Sequence, residues 1–265
     1  MIRHRENWIL VLFVAIIAGL VAGVYAVETA FATTEPVSAV LGVDSDNDGL
    51  LDSDEVSIYF TDPAVSDTDG DGYSDGLEIL NGYSPHHGER LKLMAVDSDE
   101  DYLPDAWELE LGTGLMNPDS DGDFYLDGTE VAASFDPLNP APVQLEKRIE
   151  VSTADLSLKY FMGEHLMGEI PVSTGKAWTP TPLGEFAVQA KIPVKYYAGP
   201  TWDYPNTKWN LQFTRRNGWG YYIHGAYWHD KFGREPVSGG CVNVRYEDME
   251  PLYWWAQEGT AVIVY

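Results

Sequence analysis

The sequence predicts three parts: an apolar N-terminal helix, an acidic repeat region with short helical turns, and a mainly β C-terminal domain with one short helix. Three observations carry this reading. No charged residue interrupts Trp8 to Val27. About 26 of the 42 acidic side chains lie between residues 41 and 140, against only Arg90 and Lys92. Beyond residue 147 the chain turns into short β-rich runs punctuated by Gly, Pro and Asn. At 265 residues it is long enough for two modest domains, and 13% aromatic content can supply a core. The net charge of −26 repels phosphates and attracts cations, which argues against a nucleic-acid partner.

Residues 1–32 read as a membrane anchor or a signal segment. The apolar run is about 20 residues, enough to cross a hydrocarbon core, and longer than the apolar region of most cleavable signals. Ala30-Phe31-Ala32 is nonetheless a passable cleavage site, so anchored and secreted forms both stay open. Arg3 and Arg5 precede the run and direct the remainder out of the cytoplasm. Residues 33–42 are a linker.

Residues 43–140 hold four copies of one acidic template. The first has Asp44, Asp46, Asp48, Asp52 and Glu55; the second Asp67, Asp69, Asp71, Asp75 and Glu78. The third has Asp97, Asp99, Asp101, Asp105 and Glu108; the fourth Asp119, Asp121, Asp123, Asp127 and Glu130. Asp at positions 1, 3, 5 and 9 with Glu at 12 is the oxygen pattern of an EF-hand-type calcium loop. A hard cation wanting six to eight oxygens is wrapped by alternate residues of a tight loop and closed by a carboxylate on the emerging helix. Position 6 needs a sharp turn. Gly49 and Gly72 supply it, whereas Tyr102 and Phe124 stand there in the later copies, which predicts weaker or differently shaped loops. The spacing groups the copies as two pairs, and the segments after each loop are too short for full EF-hand helices. His86 and His87, between the pairs, lack further ligand spacing and read as surface loop rather than a zinc site. "FTDPAVSDTDGDGYSDGLE" and "SFDPLNP" resemble the thrombospondin type 3 and related bacterial calcium repeats. The resemblance implies structural calcium in a spacer-like region.

The proline-bearing stretch at 141–146 is the domain boundary, and residues 147–265 form the C-terminal domain. Its expected strands are "RIEVSTA", "LSLKYFM", "HLMGEIPVS", "GEFAVQAKI", "GYYIHGA" and "TAVIVY". A helix is expected over "EDMEPLYWWAQEG", closed by Gly259. The aromatic stretch from Tyr196 to Tyr222, with Arg215 and Arg216, fits a ligand groove and ordinary packing equally well. "STGK" at Ser173–Lys176 lacks the glycine spacing of a phosphate loop.

Cys241 is the single cysteine. Exported proteins use cysteines in pairs, so a lone thiol there is either a small buried hydrophobe or a reactive group. A nucleophilic thiol needs a group to take its proton, and His224, ahead of Gly225 at a predicted strand end, is the candidate base. Gly239 and Gly240 permit a tight turn whose N–H groups could face an oxyanion.

His-Gly, a gap, then Ser-x-Gly-Cys-Val-Asn resembles the signature of the YkuD-type L,D-transpeptidases. "IPVSTGKAWTPTPLGEFAV" and the terminal "EGTAVIVY" resemble two further blocks of that family. The resemblance implies a β-sandwich with a short helix and acyl transfer on peptidoglycan stem peptides, with no cofactor for catalysis. Cys241 would attack the carbonyl at the L-centre of the stem's diamino acid and release the terminal D-alanine. His224 would be base and then acid, with Ser238 and Gly240 completing the catalytic block. Asn243, Arg245, Gly239 and His229 would lie on the substrate side. One departure is that Gly239 stands where the family commonly has His, and His229 is near enough in sequence to substitute. Water as acceptor would make an L,D-carboxypeptidase instead, and loss of activity would leave a calcium-dependent wall-binding or adhesion protein.

Overall fold

The computed structural model describes residues 42–200 and 202–265. The expected apolar helix over Trp8–Val27 lies outside the described residues. Among those described, no helix is long and apolar enough to cross a membrane.

Each acidic loop runs into a helix of one or two turns. These are α1 (Asp52–Asp54) with a π-helical turn over Glu55–Tyr59, α2 (Asp75–Leu80), α3 (Asp105–Leu111) and α4 (Asp127–Ala133). The last three begin directly on the Asp at position 9 and carry the Glu of position 12 one turn later, so acidic side chains crowd the positive N-terminal end. Hydrogen bonds link the loops in twos. Asp48 accepts from Gly76 N–H at 2.9 Å, and Asp101 accepts from Gly128 N–H at 2.8 Å. The expected distortion of the third and fourth loops is absent. Tyr102 and Phe124 adopt the left-handed turn at φ 80° and 78°, beside 101° and 98° for Gly49 and Gly72. Their N–H groups bond the first Asp of the loop as the glycines do, each at 3.0 Å. That bond holds an L-residue in a backbone region normally left to glycine.

The β domain has two sheets. One, in the order β3-β2-β1-β9-β4, uses His165–Pro171, Ser157–Met162, Lys147–Ser152, Ala261–Val264 and Gly184–Ala187. The other, in the order β5-β6-β7-β8, uses Ala190–Gly199, Trp202–Arg216, Trp219–Gly225 and Val242–Val244. Alternation decides which faces turn inward: Leu158, Tyr160 and Met162 of β2 are buried while Ser157, Lys159 and Phe161 are less so. Helix α5 (Tyr246–Trp255) follows β8 and lays Met249, Leu252, Tyr253 and Trp255 into the same core as both sheets. It ends at Trp255, short of Gly259, where Ala256 turns extended at ψ 144°, and two lysines meet the carbonyls at that end. Lys147 donates to Trp255 O at 3.0 Å and Lys191 to Ala256 O at 2.5 Å, cations placed at the negative end of the helix. "GEFAVQAKI" is divided between β4 and β5, which lie in different sheets. The fifteen-residue β6, from the aromatic stretch, is the longest strand.

The repeat region is not a detached spacer. Residues Gly42–Tyr265 form one compact unit. Trp107 of α3 meets Tyr160 edge-on at 6.4 Å and donates its indole N–H to Met167 O at 3.1 Å. His165 bonds the Glu110 carbonyl at 2.8 Å, and Gln257 donates to Ala132 O. Leu103, Trp107, Leu111 and Val131 belong to the β domain's core. The physical reason lies in α3, whose two large apolar side chains are buried in that core.

Candidate functional site

The cysteine loop is pinned from two sides. Ser238 Oγ donates to Cys241 O at 2.6 Å and accepts from Gly240 N–H at 3.0 Å, closing the turn on itself. Gly240 has φ 122°, and a Cβ there would sit 2.7 Å from the Tyr221 ring, so glycine is required. Beneath the turn, Ser173 and Gly175 form β-bridges to Asn243 and Ser238. Ser173 Oγ also donates to Glu235 O at 2.6 Å and accepts from Val237 N–H at 3.0 Å. The "STGK" stretch is thus the brace of the cysteine turn. The turn spends the Gly240 N–H on Ser238, so that group is not free for an oxyanion.

Cys241 and His224 are brought together by the parallel pairing of β7 and β8, in which Ile223 faces Val242 and His224 faces Asn243. Extending that register by one residue sets Cys241 beside Tyr222. Ile223, Val242 and Val244 point into the core, so Tyr222, His224, Cys241 and Asn243 share the opposite face. His224 is buried, and its Nδ1 lies 2.9 Å from Gly225 O. A carbonyl accepts only, so Nδ1 carries the proton and Nε2 is left as the basic nitrogen. Tyr197 stacks on the imidazole at 4.9 Å, and Trp228 lies at 5.8 Å on a tilt. Tyr197 in turn donates to Asn210 Oδ1 at 2.9 Å, and the Asn210 amide donates to Ile192 O and Thr207 O. The β5–β6 hairpin therefore fixes the plane of the histidine.

Burial sets the charge state. It lowers His224 to about 4 and pushes the Cys241 thiol up to about 11, the latter partly offset by the Tyr222 N–H and the charge of Lys195. Both groups are neutral near pH 7, although the cysteine residue keeps partial exposure. A neutral pair suits proton transfer concerted with attack, not a resting thiolate–imidazolium pair.

The remaining predicted residues divide. Asn243 is buried and its amide lies 2.9 Å from His229 Nε2. His229 Nδ1 accepts from Lys231 N–H at 3.1 Å, so Nε2 carries the hydrogen and the Asn243 oxygen is the group that must face it. His229 is thereby tied to Asn243, two residues past the sulfur. Gly239 is exposed with open space where a Cβ would stand, so its glycine is not a packing requirement. Arg245 caps α5 and turns to that helix's own Glu247 and Asp248, at 3.9 and 3.8 Å. Those long contacts keep it with the helix. Tyr197, Asn210 and Ser173 escaped sequence reasoning. The register that brings them to the site exists only after the sheet forms.

The four loops present clustered oxygens. In each, the Asp residues at positions 1, 3 and 5 have carboxylate oxygens within 4.8 Å of one another. Glu55, Glu78, Glu108 and Glu130 are buried beside them with at least one oxygen lacking any partner. Burial and the neighbouring Asp99, Asp101 and Asp105 push Glu108 up to about 9; burial and the aspartates of their own loops raise Glu78 and Glu130 to about 7. Sixteen carboxylates so arranged fit a divalent hard cation in each loop. The position-9 residues are used otherwise. Asp52, Asp75 and Asp105 accept at both oxygens from the backbone and hydroxyl of position 2, and Asp127 accepts from Ser120 N–H. They brace the loops. His86 and His87 bond Tyr59 O and Ser84 Oγ, half-buried between the pairs.

With this geometry in view, the family comparisons are specific. The L,D-transpeptidase catalytic domain model (YkuD) matches residues 146–264. The likeness to that catalytic domain thus spans the β domain and leaves the repeats outside it. The bacterial TSP3 repeat matches 44–65 and 67–82, leaving the third and fourth loops outside the matched segments. A Bacillus licheniformis chain named for the YkuD L,D-transpeptidase is 29% identical over 142 residues, covering 52% of this chain and 79% of that one. An L,D-transpeptidase from Mycobacterium smegmatis aligns with TM-score 0.42 and 25% identity, covering 46% of this chain and 60% of that one. L,D-transpeptidase 3 from Mycobacterium tuberculosis, solved with a faropenem-derived adduct, aligns at 0.42 and 23%, covering 46% and 61%. The chain therefore spans about three-fifths of the length of those solved structures.

Proposed function

We propose that this chain is an extracytoplasmic L,D-transpeptidase that acts on peptidoglycan stem peptides through a thioester on Cys241. The observation that carries the reading is the shared face of Cys241 and His224, inside a domain whose family performs this acyl transfer. His224 Nε2 takes the thiol proton as sulfur attacks the carbonyl carbon at the L-centre of the diamino acid. The tetrahedral intermediate collapses, the C–N bond breaks, and the terminal D-alanine leaves with the proton returned by the imidazolium. An amine of a second stem then attacks the thioester carbonyl and gives a proton to His224. The C–S bond breaks, and the thiol is reprotonated. Burial keeps water away from the imidazole, and Tyr197 holds its plane through both steps.

The extracytoplasmic location rests on sequence alone, on the uncharged run from Trp8 to Val27 behind Arg3 and Arg5. Calcium, when bound, neutralises the carboxylates of the four loops and orders them. The residues that would hold it are the three clustered aspartates and the closing glutamate of each loop. It supplies no step of the acyl transfer.

The test is incubation of the purified protein with a disaccharide-tetrapeptide, followed by mass spectrometry. A cross-linked dimer with release of D-alanine is expected. A trimmed tripeptide without dimer would make the enzyme a carboxypeptidase, and unchanged substrate would overturn the enzymatic reading.

A further inference from the structure

Helix α3 serves two structures at once. One side carries Glu108 to the third loop, beside Asp97, Asp99 and Asp101. The residue before it, Trp107, is driven into the β domain. Consecutive residues point about 100° apart around a helix axis, so any movement that lets Glu108 retreat from the aspartates rotates Trp107 with it. Trp107 is only 7% exposed and held on two sides, by the Tyr160 ring and by its bond to Met167 O in β3. The contact continues inward. Tyr160 lies 5.0 Å from Trp255 at the end of α5, and Tyr246 at the start of α5 fills the space over Gly225, next to His224.

The third loop differs from the first two in this respect. Among the described residues, the shared core takes Leu103, Trp107 and Leu111 from the third loop and its helix, and nothing from the first two loops or α1 and α2. The third loop also buries its acids most deeply. Asp101, Asp105 and Glu108 have no exposed surface, and one oxygen of Glu108 and one of Asp99 find no partner. An unpaired carboxylate oxygen sealed beside like charges is costly, and a cation is what relieves it.

We propose that cation loading of the third loop and folding of the catalytic β domain are one cooperative event, linked through Trp107. This rests on the calcium reading of the loops, and it makes the repeat region part of the catalytic fold rather than a passive arm. A displaced α3 would open the Trp107 socket between β2 and β3 and loosen α5, the helix whose Tyr246 packs over Gly225 beside His224.

The experiment uses the full chain and calcium chloride. Calorimetric titration counts the bound ions, while hydrogen exchange by mass spectrometry follows β3 and α5 with calcium and with EDTA. Expected is bound calcium and at least about tenfold faster exchange in β3 and α5 on chelation. Glu108→Gln should reproduce the chelated pattern in the presence of calcium, whereas Glu55→Gln should leave β3 and α5 protected. Trp107→Leu should keep at least the calcium bound by the other three loops but remove the calcium effect on α5. Absence of any calcium binding would overturn the cation reading and the proposal together. Calcium bound with exchange in β3 and α5 unaltered by EDTA would overturn the coupling alone, and that comparison needs no variant.

Discussion

In the β domain the innermost side chains are Ile149, Leu158, Phe213, Ile223 and Leu252; in the repeat region Glu55, Asp101, Asp105 and Glu108 lie as deep as Leu103 and Leu115. The first set is brought inside by removal of apolar surface from water, at about 25 cal/mol per Å². The second has less of that drive, because Leu93, Leu103 and Leu115 are buried but Val56, Leu80 and Phe124 stay largely exposed while acids share the interior. One region is thus held mainly by apolar packing, and the other is built around charge that something else must neutralise. Trp107, Leu111 and Val131 are where the two strategies meet.

The contrast can be broken first at the site. Replacing His224 by Gln removes the proton acceptor but keeps the shape, and acylation should fall roughly a hundred- to ten-thousand-fold in single-turnover assays. An unaltered rate would move the base elsewhere. Next in size is chelation. EDTA should render residues 43–140 protease-sensitive and reduce their helical circular dichroism, since the buried carboxylates of each loop then repel one another. Unchanged digestion would remove the ion from the account of this region.

A third test concerns charge at the thiol. With burial holding Cys241 at about 11 and His224 at about 4, the thiolate is scarce at neutral pH. Alkylation by iodoacetamide should therefore rise about tenfold per pH unit through pH 8 to 10. A plateau beginning near pH 6 would instead mean a resting ion pair. The smallest expected effect lies at Lys147, lowered to about 8 by burial from an ordinary 10.5. Between those values the unfolded chain holds a proton that the folded chain lacks. Stability from this group therefore rises as pH goes from 8 to 10.5 and is flat below. Lys147→Met should flatten that segment of the stability–pH curve in thermal melts, while removing a cap from α5.

Much of this was readable from residue order, because the signals are local. Alternation in "LSLKYFM" makes β2, and the template Asp-x-Asp-x-Asp places three oxygens together within five residues. The pairing of β7 with β8 puts His224 and Cys241, which the block around Cys241 singled out, on one face. What escaped is non-local. The fifteen residues of β6 include Pro205 and several polar positions, so the strand is revealed by its pairing with β5 and β7 and not by its pattern. Tyr197 reaches His224 only across β6, and Ser173 braces a turn more than sixty residues away. The shape of the later loops was misjudged because the N–H bonds to Asp97 and Asp119 hold Tyr102 and Phe124 in a turn that sequence logic reserves for glycine. The docking of α3 was hidden for a related reason: a lone Trp107 in an acidic stretch names no partner until β2 and β3 are in place.

The account stands on a reactive sulfur at position 241, and intact-mass measurement with imipenem tests it most directly. Calcium-loaded, folded protein should gain the mass of one imipenem-derived acyl group, mapped by peptide digestion to Cys241 and absent in Cys241→Ala of unchanged melting temperature. Folded protein that takes up no adduct, or takes it up equally in the alanine variant, would contradict the thioester mechanism.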